Sequence, residues 1–163
     1  MKTKILLIDD EALFREDLAG LLRRREMDCR TAASGEEGLA TLENWDPDIV
    51  LCDIMMPGMN GIDVLDNMIR LKPELRIIMV TAFADLQTAI TAFRKGACDY
   101  VMKPIVFDDV VGKIRRLAEL KELTREVQIL RRQLSRGMDS LSIVGQSDAI
   151  RTAMRHIEEV SET

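Results

Sequence analysis

The chain has 163 residues, 47% of them apolar and 31% charged, with a net charge of −5. That length holds one domain with a real core and a further segment, and the acidic balance excludes a global basic field that would draw the chain onto DNA or anionic lipid. Cys29, Cys52 and Cys98 are scattered without a CxxC, against a disulfide framework or zinc site and in keeping with a reducing cytosol; no stretch reads as a signal peptide or membrane span.

In chain order, "KILLID" (4–9), "CRTAA" (29–33), "DIVLCD" (48–53), "RIIMVTA" (76–82) and "DYVMK" (99–103) read as strands. Between them apolar residues recur at helical spacing: Leu13, Leu18, Leu21 and Leu22; then Ile62, Leu65, Met68, Ile69 and Leu71; then Leu86, Ile90 and Phe93. Ser34 and Glu37 form a capping box before the second helix, "RRR" at 23–25 suits the end of the first, and Gly96 suits a helix stop. Strict alternation through five units predicts a parallel sheet covered on both faces. Ile49, Val50 and Leu51 then form a strand buried on both sides, which ends on Asp53 before a turn through Pro57, Gly58, Asn60 and Gly61.

From Asp108 the pattern predicts one long helix to Arg136, with Gly137 as its stop. Val110, Ile114 and Leu117 are placed to pack on the sheet, whereas Leu120, Leu123, Val127, Leu130 and Leu134 step by three and four as a heptad seam. Glu126 falls at g and Arg131 at the following e, an attractive pair in a parallel dimer; the same seam also suits a helix packed on its own domain. Residues 138–163 change character again. Ser147 caps a helix with Ile150, Met154 and Ile157 on one face, the opening of a further domain, and His156 reads as a surface residue.

The polar residues fall at the carboxyl ends of the strands, the edge where open parallel sheets bind ligands. Asp9 and Asp10 follow the first strand; Asp53, Thr81 and Lys103 lie at the ends of the third, fourth and fifth. In the strand order 2-1-3-4-5 the first and third are neighbours, so Asp9, Asp10 and Asp53 meet in one cleft. Three carboxylates there repel unless a cation sits among them, and hard oxygen donors suit Mg²⁺. Lys103 and Thr81 would face the same cleft as donors, and a carboxylate can accept a phosphoryl group covalently. Taken singly, each residue admits a structural role: Asp53 as a turn or cap, Thr81 as a satisfied core hydroxyl, Lys103 as a solvated lysine. Their joint placement favours phosphoryl chemistry.

"LLIDDE", "DIMMPGMNG", "VTA" and "GACDYVMKP" resemble, in order and spacing, the receiver domain of two-component response regulators over roughly residues 1–118. The resemblance implies a flavodoxin-like (βα)5 α/β fold with Asp53 as phosphoacceptor. It implies Mg²⁺ held by Asp9, Asp10, Asp53 and the Met55 backbone carbonyl, Thr81 and Lys103 on the phosphoryl oxygens, and Tyr100 as a rotating switch aromatic. Met55 and Phe83 would flank the hydrolytic water and, offering it no hydrogen bond, imply a long-lived phosphoprotein. Residues 119–137 followed by "SIVGQSDAIRTAMRHIEEVSET" resemble the coiled-coil linker and the start, over 138–163, of the AAA+ domain of NtrC-type, sigma-54-dependent activators. No GxxxxGK[ST] or helix-turn-helix falls within these residues, so the ATPase and the contacts to sigma-54 RNA polymerase and DNA would belong to further domains. The implied partners are a sensor histidine kinase and, through the fifth helix and linker, a second copy, in the cytoplasm. Two other readings are a receiver–coil adapter without ATPase output and a haloacid-dehalogenase-like phosphatase. The phosphatase needs an Asp-x-Asp on the first strand, which "IDDEA" does not supply.

Overall fold

Five short apolar strands, each followed by a helix, dictate the architecture. The computed structural model describes residues 1–82 and 85–144, with side chains up to Arg136. The strands are β1 (Lys4–Ile8), β2 (Asp28–Ala32), β3 (Ile49–Asp53), β4 (Arg76–Thr81) and β5 (Asp99–Met102), and the helices are α1 (Ala12–Arg24), α2 (Gly35–Asn44), α3 (Gly61–Leu71), α4 (Leu86–Arg94) and α5 (Phe107–Val144). All neighbouring strands pair in parallel, in the order β2-β1-β3-β4-β5. The chain divides into two units, Met1–Glu119 and Leu120–Thr163.

Period-two alternation sends successive strand residues to opposite faces. Leu6, Ile8, Val50, Cys52, Ile77 and Met79 share a core with Leu42 of α2, Val64, Leu65 and Met68 of α3, and Ala92 of α4. Ile5, Leu7, Leu51, Ile78 and Val80 meet Leu18 and Leu22 of α1 and Val110, Ile114 and Leu117 of α5 on the other face. Every residue of β3 is buried, as its unbroken apolar run requires. Burial in the second core also pushes the Cys29 thiol up to about 11. Among the described residues no helix is long and apolar enough to cross a membrane.

Side-chain caps fix where the helices begin. The Glu37 N–H donates to Ser34 Oγ (3.2 Å) and the Glu37 carboxylate accepts from the Ala33 N–H (2.6 Å), one residue before the cap. Asn60 Oδ1 accepts from Ile62 and Asp63, and Asp85 from Gln87 and Thr88.

Two helices end in the same six-residue hydrogen-bond pattern with different residues at its left-handed position. At the end of α4, Gly96 (φ 105°) donates to the Phe93 carbonyl and Ala97 to that of Ala92. At the end of α1, Glu26 (φ 64°) donates to Arg23 and Met27 to Leu22. Glu26 carries a Cβ where glycine fits without strain. Glu26→Gly should therefore raise the unfolding free energy by about 0.5–1 kcal/mol, after glycine's own entropic cost. Urea denaturation checks this; an unchanged or lower midpoint would show that Glu26 is unstrained.

One sequence expectation needs correction. Gly137 does not stop α5, which runs on to Val144. An interior glycine costs only about 1 kcal/mol against alanine, and the flanking Leu134, Arg136 and Met138 are good helix formers. The periodic residues Leu13, Leu86 and Phe93 are exposed, at 80, 76 and 49%. Helical spacing defines a stripe, but α1 and α4 bury theirs through Leu18, Ala19 and Leu22 and through Ala92. Phe83 and the segment carrying Ser147, Ile150, Met154, His156 and Ile157 lie outside the described residues.

Candidate functional site

The cleft at the carboxyl end of the sheet follows from strand order. Ile8 pairs with Cys52, which sets Asp9, one residue beyond β1, beside Asp53, the last residue of β3. Asp9 and Asp53 are 1 and 5% exposed, Asp10 lies at the surface, and a carboxylate oxygen from each falls within 4.8 Å of the others. Asp9 is held at three points: its N–H donates to the Ala32 carbonyl, its Oδ1 accepts from the Glu11 N–H (2.9 Å), and its carbonyl accepts from Arg15 Nη1 (2.6 Å).

The turn after β3 closes on Asp53. The Met55 N–H donates to Asp53 Oδ1 (3.2 Å), and the Gly61 N–H donates to the Ile54 carbonyl (2.9 Å). Gly58 takes the left-handed backbone of the turn (φ 78°). Gly61 meets a different demand, close approach: a Cβ there would lie 2.1 Å from the Asp53 carbonyl oxygen and 2.6 Å from Ile54 Cα. The apolar strand and the glycine-rich turn are thus one device, which presents a buried carboxylate at a fixed height above the sheet.

Lys103 follows β5, and its N–H donates to the Thr81 carbonyl (2.7 Å). Its side chain reaches past β4, where Nζ donates to Asp9 Oδ2 (2.8 Å) and Asp53 Oδ2 (3.1 Å). The Phe14 ring covers the ammonium, with its centroid 4.1 Å from Nζ. Burial works against the charge on Lys103, but the hydrogen bond to Asp9 and the charge of Asp53 outweigh it and hold the pKa above its ordinary value. Burial, followed by the charge of Asp9, pushes the Asp53 carboxyl up; Lys103 and the Met55 N–H offset part of this.

Thr81, at the end of β4, is 1% exposed and its side chain is hydrogen-bonded to the half-buried Tyr100. Burial raises the Tyr100 pKa, the bond from Thr81 opposes that, and the nearby Asp85 charge adds to it. The structure therefore brings Asp9, Asp10, Asp53 and Lys103 into one cluster and couples Thr81 to Tyr100 at its border. Met55 contributes its N–H, and the residue is 58% exposed. The seam residues Leu120, Leu123, Val127, Leu130 and Leu134 are 46–69% exposed. Sequence reasoning missed Phe14, Arg15 and the contact at Gly61, because no spacing rule ties the first turns of α1 and α3 to residues at the strand ends.

Three converging carboxylates, two of them buried, form a hard oxygen donor set that fits Mg²⁺, and a divalent charge there would relieve the repulsion between Asp9 and Asp53. With the Lys103 ammonium already in place, the cleft can receive a tetrahedral anion beside a nucleophilic carboxylate.

Residues 5–115 match the family described as the response regulator receiver domain. The C4-dicarboxylate transport transcriptional regulatory protein DctD of Rhizobium meliloti is 33% identical over 156 residues, which are 94% of this chain and 34% of that protein. NtrX from Brucella abortus, solved in complex with ATP, superposes with a TM-score of 0.75 at 33% identity, over 80% of this chain and 30% of NtrX. The response regulator TrrA of Thermotoga maritima, solved in complex with Mg²⁺-BeF, superposes with a TM-score of 0.66 at 33% identity, over 72% of this chain and 99% of TrrA. This chain spans about a third of the length of DctD and NtrX. With the sheet order, the acidic cleft and the extent of these matches, the chain belongs to the response regulator receiver domain family.

Proposed function

We propose that this chain is the phosphorylation-controlled input module of a two-component transcriptional regulator. A sensor histidine kinase supplies the phosphoryl group and Asp53 accepts it. The observation that carries this reading is the convergence of Asp9, Asp10, Asp53 and Lys103 at the strand ends. Asp9, Asp10, Asp53 and the Met55 backbone carbonyl would hold Mg²⁺, whose charge, when it is bound, neutralises phosphoryl oxygens. Lys103 supplies a second positive charge from the β5 side. The chain catalyses only its own phosphorylation and dephosphorylation.

A phosphoryl group brings roughly −1.5 to −2 of charge and new acceptor oxygens. The Thr81 hydroxyl can leave Tyr100 for one of those oxygens, and the aromatic ring then turns into the space vacated. That exchange is the switch. Output passes to the remaining parts of a full-length regulator related to DctD and NtrX: a sigma-54-activating ATPase and a DNA-binding domain acting on sigma-54 RNA polymerase. Residues 1–118 are the receiver, 119–137 a coiled-coil linker and 138–163 the start of the ATPase domain, in a cytoplasmic protein.

Incubation with acetyl phosphate and Mg²⁺ should place a hydroxylamine-labile phosphoryl group on Asp53, located by peptide mapping. No incorporation would sink this reading. The half-exposed seam supports a parallel dimer, because burying each of its side chains fully contributes on the order of 1.5–3 kcal/mol before entropy is counted. Truncation after Ala118 should give a monomer by sedimentation; equal states for the truncated and full chains would exclude the linker as the interface.

A further inference from the structure

Phe14 is the third residue of α1, half-buried beside the second core, and its ring centroid lies 4.1 Å from Lys103 Nζ. An ammonium has three N–H donors. Two of them go to Asp9 Oδ2 and Asp53 Oδ2, and the ring face covers a further side of the group. The Lys103 side chain is only 15% exposed, so carboxylates and an aromatic face enclose the cation with little water around it. A cation–π contact is strongest when so desolvated.

We propose that Phe14 is a positioning residue for phosphoryl transfer, holding the Lys103 ammonium in the cleft while it changes partners. The inference rests on the reading of Asp53 as acceptor. In the step, an Asp53 carboxylate oxygen forms a bond to phosphorus. The bond from phosphorus to the donor's bridging oxygen breaks, and its electron pair leaves with acetate when acetyl phosphate is the donor. The negative charge facing Lys103 then moves from the carboxylate to the phosphoryl oxygens, and the ammonium must follow it. An aromatic face suits that movement: it attracts the cation without a directional hydrogen bond, so the ammonium can slide along it. A carboxylate in the same place would fix the lysine and add a fourth negative charge against the incoming anion. An aliphatic residue would fill the space and attract nothing.

The test is a labelling-rate comparison on the full chain with acetyl phosphate and saturating Mg²⁺. Phe14→Leu keeps an apolar side chain and removes the π face; it should slow labelling about five- to tenfold. Saturating Mg²⁺ keeps metal occupancy equal in every variant, so the rate reports the transfer step even though the ammonium and the metal share Asp9 and Asp53. Phe14→Trp restores a π face and should return the rate to within about twofold of wild type. In a Lys103→Met background, Phe14→Leu should have no further effect on the rate. Wild-type speed in Phe14→Leu, no recovery in Phe14→Trp, or an undiminished loss in the Lys103→Met background would each overturn the proposal in favour of simple packing. A wild-type chain that takes no label at all would instead overturn the acceptor assignment.

Discussion

Asp53→Asn is expected to take no covalent label from acetyl phosphate and, at neutral pH without Mg²⁺, to melt at a higher temperature than the wild type. The first result follows from chemistry, since an amide of the same shape has neither the charge nor the nucleophilic oxygen pair of a carboxylate. The second follows from electrostatics. Burial and the charge of Asp9 raise the Asp53 pKa in the folded chain. A group with a raised folded-state pKa favours folding fully only below its unfolded value, and that contribution is lost as pH rises through the folded value. At pH 7, above the unfolded value, Asp53 therefore works against the fold, whereas asparagine does not. Lys103 keeps Asp9 as a partner at 2.8 Å, so the substitution does not strand the ammonium. The stability difference should shrink as pH falls below about 4, where the unfolded-state carboxyl is also protonated. Mg²⁺ should narrow it from the other direction by stabilising the wild type more than the variant. Undiminished labelling of Asp53→Asn, or a melting temperature below wild type at pH 7, would contradict this account of the cleft.

Gly61→Ala should damage both the fold and the proposed acceptor, Asp53. The new methyl would meet the Asp53 carbonyl oxygen at 2.1 Å and Ile54 Cα at 2.6 Å. Both are backbone atoms, so no rotamer change relieves the contact. The first turn of α3 must move away from the end of β3. That movement strains the bond from the Gly61 N–H to the Ile54 carbonyl and shifts the Asn60 cap. Overpacking of this kind costs about 3 kcal/mol or more. Displacing the acceptor by about 1 Å is enough to slow transfer on the order of 10²-fold. Urea denaturation and labelling rates measure the two effects separately, and wild-type values in both would exclude the close approach.

The sheet was legible because its information is local and repetitive. Apolar runs such as Ile49–Leu51 alternate with helical spacing, and parallel crossovers leave few ways to order five strands. The acidic cleft was legible for the same reason: residues at strand ends share an edge whatever the helices do. Features that depend on two elements meeting side by side were not legible. Gly61 stood out as a turn residue, yet its need to lack a side chain comes from the path of β3 behind it. Phe14 carries no motif of its own; its place over Lys103 exists only once β5 brings that lysine in from the other end of the domain. Glu26 carries no glycine to advertise a left-handed backbone. The exposure of Leu13, Leu86 and Phe93 shows the limit of periodicity, which marks the apolar side of a helix without saying how much of it is covered.

The two ends of the proposed switch, Asp53 and Tyr100, differ in compliance. Asp53 ends the middle strand of the sheet, in which every residue is buried and both neighbours are paired. Tyr100 lies on β5, an edge strand in which only Val101 is buried, and α4 beside it buries only Ala92. Segments with few buried apolar contacts open at lower free energy than the strands at the centre. A phosphoryl group on Asp53, as proposed, would therefore find almost no give in its own strand, and the work it did would be released at the soft margin of the sheet. Rigidity at Asp53 would give such a displacement at the edge its direction.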